Sequence, residues 1–241
     1  MSVTAIIPAR YASTRLPGKP LLAETGKLLV QHVYERVAAV AGVDRVLVAT
    51  DDERIVAAVK SFSGEVVLTR ADHPTGTDRI AEVATNLDAD LVLNVQGDEP
   101  EIDGDHLQAL IDRMDGGAEM GTLACPFPED ADPANPNAVK VVVNQAGRAM
   151  YFSRALVPYP RDPQDAVRPL LHIGVYAYRR AFLLKYATWP VTPMERCEKL
   201  EQLRALENGV SIEVVSVSHA APGIDTPADY ATFVKRMAAD R

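Results

Sequence analysis

Arg10, Arg15 and Lys19 fall within ten positions of one another, with no acid among them. They lie in Pro8-Ala9-Arg10-Tyr11-Ala12-Ser13-Thr14-Arg15-Leu16-Pro17-Gly18-Lys19-Pro20, directly after an apolar run. The loop after a first strand is where open α/β sheets bind ligands, and its main-chain N–H groups can face phosphate oxygens. Three clustered cations in a chain of net charge −8 point to a polyanion; a solvated basic loop is the plainer alternative. Neither GxxxxGK[ST] nor GxGxxG is present, which disfavours a Walker loop and a nicotinamide cofactor. A second group, Gln96-Gly97-Asp98, closes another apolar run. Asp98 there suits a hard cation such as Mg²⁺, and Gln96 suits a base or ribose, although a simple turn fits equally. Asp225 precedes Thr226, which takes the helix-capping role and leaves Asp225 as a possible second metal ligand.

Further candidates are less pointed. In Thr69–Arg79, Gly76 permits close approach and Thr77 can cap a helix. Arg70 and Arg79 are cationic but have Asp72 and Asp78 beside them, and His73 reads as structural or merely exposed. Farther on come Arg154, then His172 and Tyr176 four apart on one strand face, then Glu201-Gln202 inside an expected helix. Arg154 with His172 would suit a carboxylate, since arginine grips carboxylates with two parallel N–H groups. Tyr176 and Gln202 would suit hydroxyls, with packing as the competing reading. No Ser-His-Asp order and no cysteine–histidine pair supports covalent catalysis.

The elements that must position these residues follow from periodicity. Thr4–Ile7, Arg45–Ala49, Val66–Thr69 and Leu91–Gln96 read as strands. Helices are expected over Leu28–Val40, from a cap at Asp51 through Val59, and over Thr77–Asn86. Strands alternating with helices of about ten residues imply right-handed crossovers and a mostly parallel sheet. In the second half Leu107–Met114 reads as a helix and Met120–Cys125 as a strand. Ala138–Val143 and Met150–Phe152 form a hairpin around Asn144–Gly147. Residues 157–170 read as an exposed loop and His172–Tyr178 as a strand. Thr192, Pro193 and Glu195 form a capping box opening a helix to Leu206. Ile212–Val217 is the last strand, and Thr226 opens the last helix. No clean linker separates the halves.

The 241 residues carry 47% apolar and 24% charged side chains, as a folded globular chain does. The acidic balance disfavours non-specific binding to nucleic acid or anionic membrane. Cys125 and Cys197 are too few for a disulfide framework or a cysteine zinc site, and they suit a reducing compartment. The opening MSVTAII segment predicts no secretory signal, and no apolar run reaches membrane-spanning length.

The segments IIPARYASTRLPGKPL, VATDD, TRADHPTGTDRIAEV, NVQGDEP, NPNAVKVV, YFSRA, HIGVYAYR, EKLEQLR and GIDTPAD run the length of the chain. Together, and in this order, they closely resemble the 3-deoxy-manno-octulosonate cytidylyltransferase family, the CMP-Kdo synthetases of lipopolysaccharide biosynthesis. The resemblance implies an α/β, Rossmann-like nucleotidyltransferase fold with a mostly parallel mixed sheet and a smaller sheet-containing lobe. It implies one domain over 1–241, with a nucleotide-binding part at about 1–120 plus 208–241 and a sugar-binding and dimerisation part at about 121–207. The implied reaction is CTP plus Kdo giving CMP-Kdo and pyrophosphate with Mg²⁺, in a cytoplasmic homodimer. Pro8, Ala9, Arg10, Arg15, Lys19, Arg70, Gly76, Thr77 and Gln96 would then bind the nucleotide. Asp98 and Asp225 would hold Mg²⁺ and, with Arg10 and Lys19, carry catalysis. Arg154, His172, Tyr176, Glu201 and Gln202 would form the sugar pocket. The 8-amino relative of Kdo, another acidic sugar, a sugar-1-phosphate substrate and an inert nucleotide-binding scaffold stay open.

Overall fold

The computed structural model describes residues 1–12, 15–129, 131–162, 164 and 167–239. Ser13 and Thr14 of the basic loop, and positions 163, 165 and 166 of the expected exposed loop, lie outside the described residues. The chain divides into two units, Met1–Gln108 with Ala221–Arg241, and Ala109–Ala220.

In the first unit four parallel strands run in the order β3 (Val66–Leu68), β2 (Arg45–Thr50), β1 (Val3–Ala9), β4 (Leu91–Asn94). Ile6, Ile7, Leu47, Val48, Val92 and Leu93 are buried, so these strands read as continuous apolar runs. The crossovers are α1 (Leu29–Ala38), α2 (Glu53–Ser61) and α3 (Gly76–Thr85), each amphipathic. Two caps differ from expectation. Asp52, not Asp51, accepts the N–H of Arg54 and opens α2; Asp51 instead pairs with the buried Arg79 (3.2 Å). Thr75, not Thr77, caps α3, leaving Thr77 buried in its first turn. In both cases more than one nearby residue can cap; at α2 the pairing of Asp51 with Arg79 decides between them.

The C-terminal helix α8 (Pro227–Ala239) returns to this unit. Its Tyr230 and Phe233 pack with Leu16, Leu29 and Ile224 in one buried cluster. Each such side chain contributes about 1.5–3 kcal/mol by leaving water. Leu16 follows Arg15 and Ile224 precedes Asp225, so this cluster anchors the chain beside both of those charged residues.

In the second unit β5 (Met120–Pro126) pairs parallel with β9 (Ile212–Ser216) and antiparallel with β8 (Leu170–Arg179). The hairpin β6 (Lys140–Val143) and β7 (Ala149–Ser153) joins through β6 to β8. The helix α4 (Gly104–Met114) contains the boundary between the units and begins a turn earlier than its apolar spacing predicts. A further helix, α5 (Arg180–Tyr186), follows β8 without a loop. The capping box at Thr192 and Glu195 forms as expected, but the single helix to Leu206 does not. Lys199 adopts φ 55°, and the segment breaks into α6 (Pro193–Glu198) and α7 (Gln202–Glu207). A buried ion pair, Arg204 Nη2 to Glu195 Oε1 at 2.5 Å, fastens the two pieces together.

Candidate active site

The carboxyl ends of β1 and β4 open into a cleft of about 460 Å³. Pro8, Ala9, Arg10, Ala12, Arg15, Lys19 and Pro20 line it from the first loop, with Gly76, Gln96, Gly97, Asp98 and Asp225. Two glycines let the backbone reach this shape. Gly18 sits at φ 68°, where its N–H donates to the Tyr11 carbonyl (3.1 Å) and closes the neck of the loop. A Cβ at Gly97 would lie 3.1 Å from the Pro8 carbonyl oxygen, so any larger residue would push β1 and the 96–98 turn apart by a few tenths of an ångström.

Lys19 is the hub of the cleft. Its Nζ donates to Asp98 Oδ2 (2.8 Å), to the Ile224 carbonyl (2.8 Å) and to Asp225 Oδ1 (3.4 Å). Arg15 Nη2 reaches the same Asp225 oxygen at 3.1 Å. The Ile224 N–H donates to the Asp98 carbonyl (2.9 Å), which brings together two carboxylates far apart in sequence. Asp98 Oδ1 and Asp225 Oδ2 meet no protein donor among the described residues. Hard oxygens converging on a positive charge are the donor set of a Mg²⁺ site that also faces phosphate, so the residues present fit that ion.

Other nucleotide-side candidates separate by position. Arg10 Nη2 donates to the His73 carbonyl (2.8 Å), holding the loop that leads to Gly76. His73 itself is buried and paired with Glu82, which fits the structural one of its two readings and not the exposed one. The Arg70 side chain is exposed and faces Asp72 (3.5 Å) and Glu82 (3.7 Å); neither it nor Thr77 lines the cleft. Gln96 lines the cleft and donates to Asn94 Oδ1 (2.9 Å), which fixes its amide.

The remaining candidates lie in the second unit, Arg154, Glu201 and Gln202 at the α6–α7 break and His172 and Tyr176 on β8. Arg154 Nε donates to the Glu198 carbonyl (2.7 Å) and Nη2 to the Lys199 carbonyl (3.4 Å). Glu201 is the N-cap residue of α7 rather than a mid-helix residue, and its carbonyl accepts the Tyr186 hydroxyl (2.6 Å). Gln202 is buried, and its Nε2 has no hydrogen-bond partner among the described residues. A buried unpaired amide costs about 1–3 kcal/mol, which a ligand acceptor would recover. His172 and Tyr176 share a strand face with ring centroids 5.5 Å apart. Desolvation pushes the His172 imidazole down to about 3 and the Tyr176 phenol well above its usual value, so both are neutral at pH 7. His172 Nε2 lies 3.1 Å from Thr122 Oγ1.

A family model for cytidylyltransferases matches residues 4–212. The Syntrophotalea carbinolica 3-deoxy-manno-octulosonate cytidylyltransferase is 52% identical over 239 residues, covering 95% of this chain and 96% of that one. The Geobacter metallireducens protein of the same name is 49% identical over 98% of each chain. The chain belongs to the 3-deoxy-manno-octulosonate cytidylyltransferase family. A solved CMP:2-keto-3-deoxy-manno-octonic acid synthetase complexed with CTP matches with a TM-score of 0.96, 45% identity and full coverage of both chains. A 4-diphosphocytidyl-2C-methyl-D-erythritol synthase from Anaerococcus prevotii shares the fold alone, with a TM-score of 0.65 at 16% identity over 98% of both chains.

In this cytidylyltransferase the structure also brings forward Glu99 and Lys140, to which motif reading gave no role, and gives Arg79, which it named, a partner other than Asp78. Glu99, beside Asp98, has a carboxyl oxygen shut off from water, and burial with the Asp98 charge pushes its pKa up to about 8. Its carboxyl is therefore mostly protonated at pH 7. Arg79 is fully buried and donates to Thr69, linking the ends of β2 and β3 to α3. Its place in the arginine-bearing 69–79 segment was a signal; its burial was not readable from spacing. Lys140, also fully buried, lies in the NPNAVKVV segment, but nothing in its spacing marked it as buried.

Proposed function

We infer that this protein transfers a cytidylyl group from CTP to 3-deoxy-D-manno-octulosonate, giving CMP-Kdo and pyrophosphate. The observation that carries the reading is the full-length match to the CTP-complexed synthetase, joined to a cleft whose lysine ties two carboxylates together. The sugar's anomeric oxygen attacks the α-phosphorus in line, its proton is lost, and the bond to pyrophosphate breaks. Phosphoryl-type transfer of this kind depends mainly on positioning and charge neutralisation.

Arg10, Arg15 and Lys19 supply the positive charge that draws the triphosphate in. Pro8, Ala9 and Gln96 shape the base side. Asp98 and Asp225 would hold Mg²⁺, which supplies charge neutralisation on the phosphates and acidifies a neighbouring hydroxyl. Before substrate enters, Lys19 and Arg15 neutralise these carboxylates; the phosphates then compete for the same two cations. On the sugar side, Arg154 offers a carboxylate clamp; the neutral His172 and Tyr176, together with Glu201 and Gln202, offer partners for hydroxyls. The orphan Gln202 amide supports that assignment.

The same reading makes the protein a cytoplasmic homodimer. Two free cysteines suit a reducing compartment. No helix among the described residues is long and apolar enough to cross a membrane. Met150, Leu156, Tyr159, Val191 and Met194 are exposed apolar side chains of the second unit, available to a second copy. Arg154→Ala tests the sugar side: it should raise the KM for Kdo by about tenfold or more while leaving CTP affinity near wild type. A fall in CTP affinity alone would move Arg154 to the nucleotide side.

A further inference from the structure

Lys140 is fully buried on β6, and no carboxylate among the described residues lies within ion-pair distance of it. Its Nζ donates instead to two main-chain carbonyls, Asn135 (3.1 Å) and Arg154 (2.5 Å). Burial is the largest influence on this ammonium and lowers its pKa, against the pull of Glu198 and Asp132. A methionine would fill the same volume without that desolvation cost. The cation therefore needs a reason, and the groups it holds supply one.

Arg154 is gripped from every side. Its N–H donates to Glu198 Oε2 (2.9 Å), and Ser153 Oγ donates to Glu198 Oε1 (2.7 Å). Its carbonyl is held by Lys140. Its guanidinium donates to the Pro136, Glu198 and Lys199 carbonyls. Lys140 thus holds both Arg154 itself and the residue next to Pro136, the two ends of one guanidinium contact. The N–H bonds left over on Nη1 and Nη2 meet no protein acceptor among the described residues.

We propose that Lys140 is a positioning residue that sets the direction of the Arg154 guanidinium, and through it the affinity for the acidic sugar. This rests on the reading of Arg154 as the partner of the sugar carboxylate. With Lys140 neutralised, the Arg154 and Asn135 carbonyls lose their shared donor, and the guanidinium loses its fixed frame.

The test compares Lys140→Met, Arg154→Ala, the double variant and Ser153→Ala in steady-state turnover with CTP, Kdo and Mg²⁺. Calorimetric CTP binding reports the nucleotide side in each protein. Lys140→Met should raise the KM for Kdo by about tenfold, with kcat and the KM for CTP within about twofold of wild type. The double variant should be no worse than Arg154→Ala alone, because both changes remove one function. Ser153→Ala loosens the same frame from the Glu198 side and should raise the KM for Kdo by about threefold. If Lys140→Met does not fold, Lys140→Arg, which keeps the charge but changes the donor geometry at the Asn135 and Arg154 carbonyls, takes its place, and an unchanged KM for Kdo there overturns the proposal. An unchanged KM for Kdo in Lys140→Met, or equal rises for both substrates, also overturns it. Should Arg154→Ala leave the KM for Kdo unchanged, the carboxylate reading fails and takes the proposal with it. A raised KM in Arg154→Ala with Lys140→Met unchanged refutes the positioning role alone.

Discussion

Replacing Asp98 or Asp225 by asparagine keeps the side-chain shape and removes one negative charge. Two bare carboxylates pointing at one another would repel, and neutralising either would then stabilise the fold. Lys19 reverses that expectation. Its Nζ lies 2.8 Å from Asp98 and 3.4 Å from Asp225, and Arg15 lies 3.1 Å from Asp225. Asp225 is half exposed, so its pairs fall in the range of exposed ion pairs, about 0–1 kcal/mol. Asp98 shares a mostly buried lysine and belongs at the upper end of that range. A loss of about 1 kcal/mol lowers Tm by about 2–4 °C in a chain of this size. Turnover should fall much further, by about 10²-fold or more in kcat, or about 2.7 kcal/mol, because the lost charge acts where the transition state is built. The signature is a near-wild-type melting curve with little pyrophosphate release. Asp229 gives the contrast. Its Oδ2 accepts the N–H groups of Thr226 (2.7 Å) and Asp225 (3.1 Å), so Asp229→Asn should cost about 1 kcal/mol of stability and less than about tenfold in kcat. If folded Asp225→Asn turns over near the wild-type rate at limiting Mg²⁺, Asp225 is a helix-end residue and its metal role is refuted.

Gly18→Ala forces a side chain onto a left-handed residue and sets its Cβ 3.3 Å from the Tyr11 ring. It should destabilise by about 1–2 kcal/mol and raise the KM for CTP, measured by melting and kinetics; an unchanged KM would detach the loop neck from nucleotide binding. The His172 proton is disfavoured in the fold, so the unfolded chain binds more protons between the lowered value of about 3 and the ordinary 6.5. Stability should rise with pH across that window, His172→Gln should flatten the rise, and an imidazole NMR titration near 6.5 in the folded protein would contradict the burial argument. CTP should be used with far higher kcat/KM than ATP or GTP, and equal efficiency with ATP would sink the base-side role of Pro8, Ala9 and Gln96.

Much of the fold was legible because its strands are apolar runs bounded by turns. The parallel half, the 140–153 hairpin and the capping box at Thr192 all follow from local chemistry. Adjacent acids or hydroxyls blurred the caps: Asp51 and Asp52, or Thr75 and Thr77, are locally equivalent, and Arg79 alone decides where Asp51 goes. The break at Lys199 was hidden because a lysine at positive φ has no sequence signal. On the nucleotide side, residue types pointed to the cleft, but the hub role of Lys19 depends on Ile224 sitting in the α8 cluster, a long-range fact. Lys140 lies in the NPNAVKVV segment, yet its burial was hidden because nothing in a β-strand pattern distinguishes a buried lysine from an exposed one.

The central claim is tested most directly by incubating the protein with CTP, Kdo and Mg²⁺, then measuring pyrophosphate release alongside the mass of the sugar product. The account predicts one pyrophosphate for each CMP-Kdo formed, with no release when either Kdo or Mg²⁺ is omitted. CTP binding without pyrophosphate release in the complete mixture would contradict it.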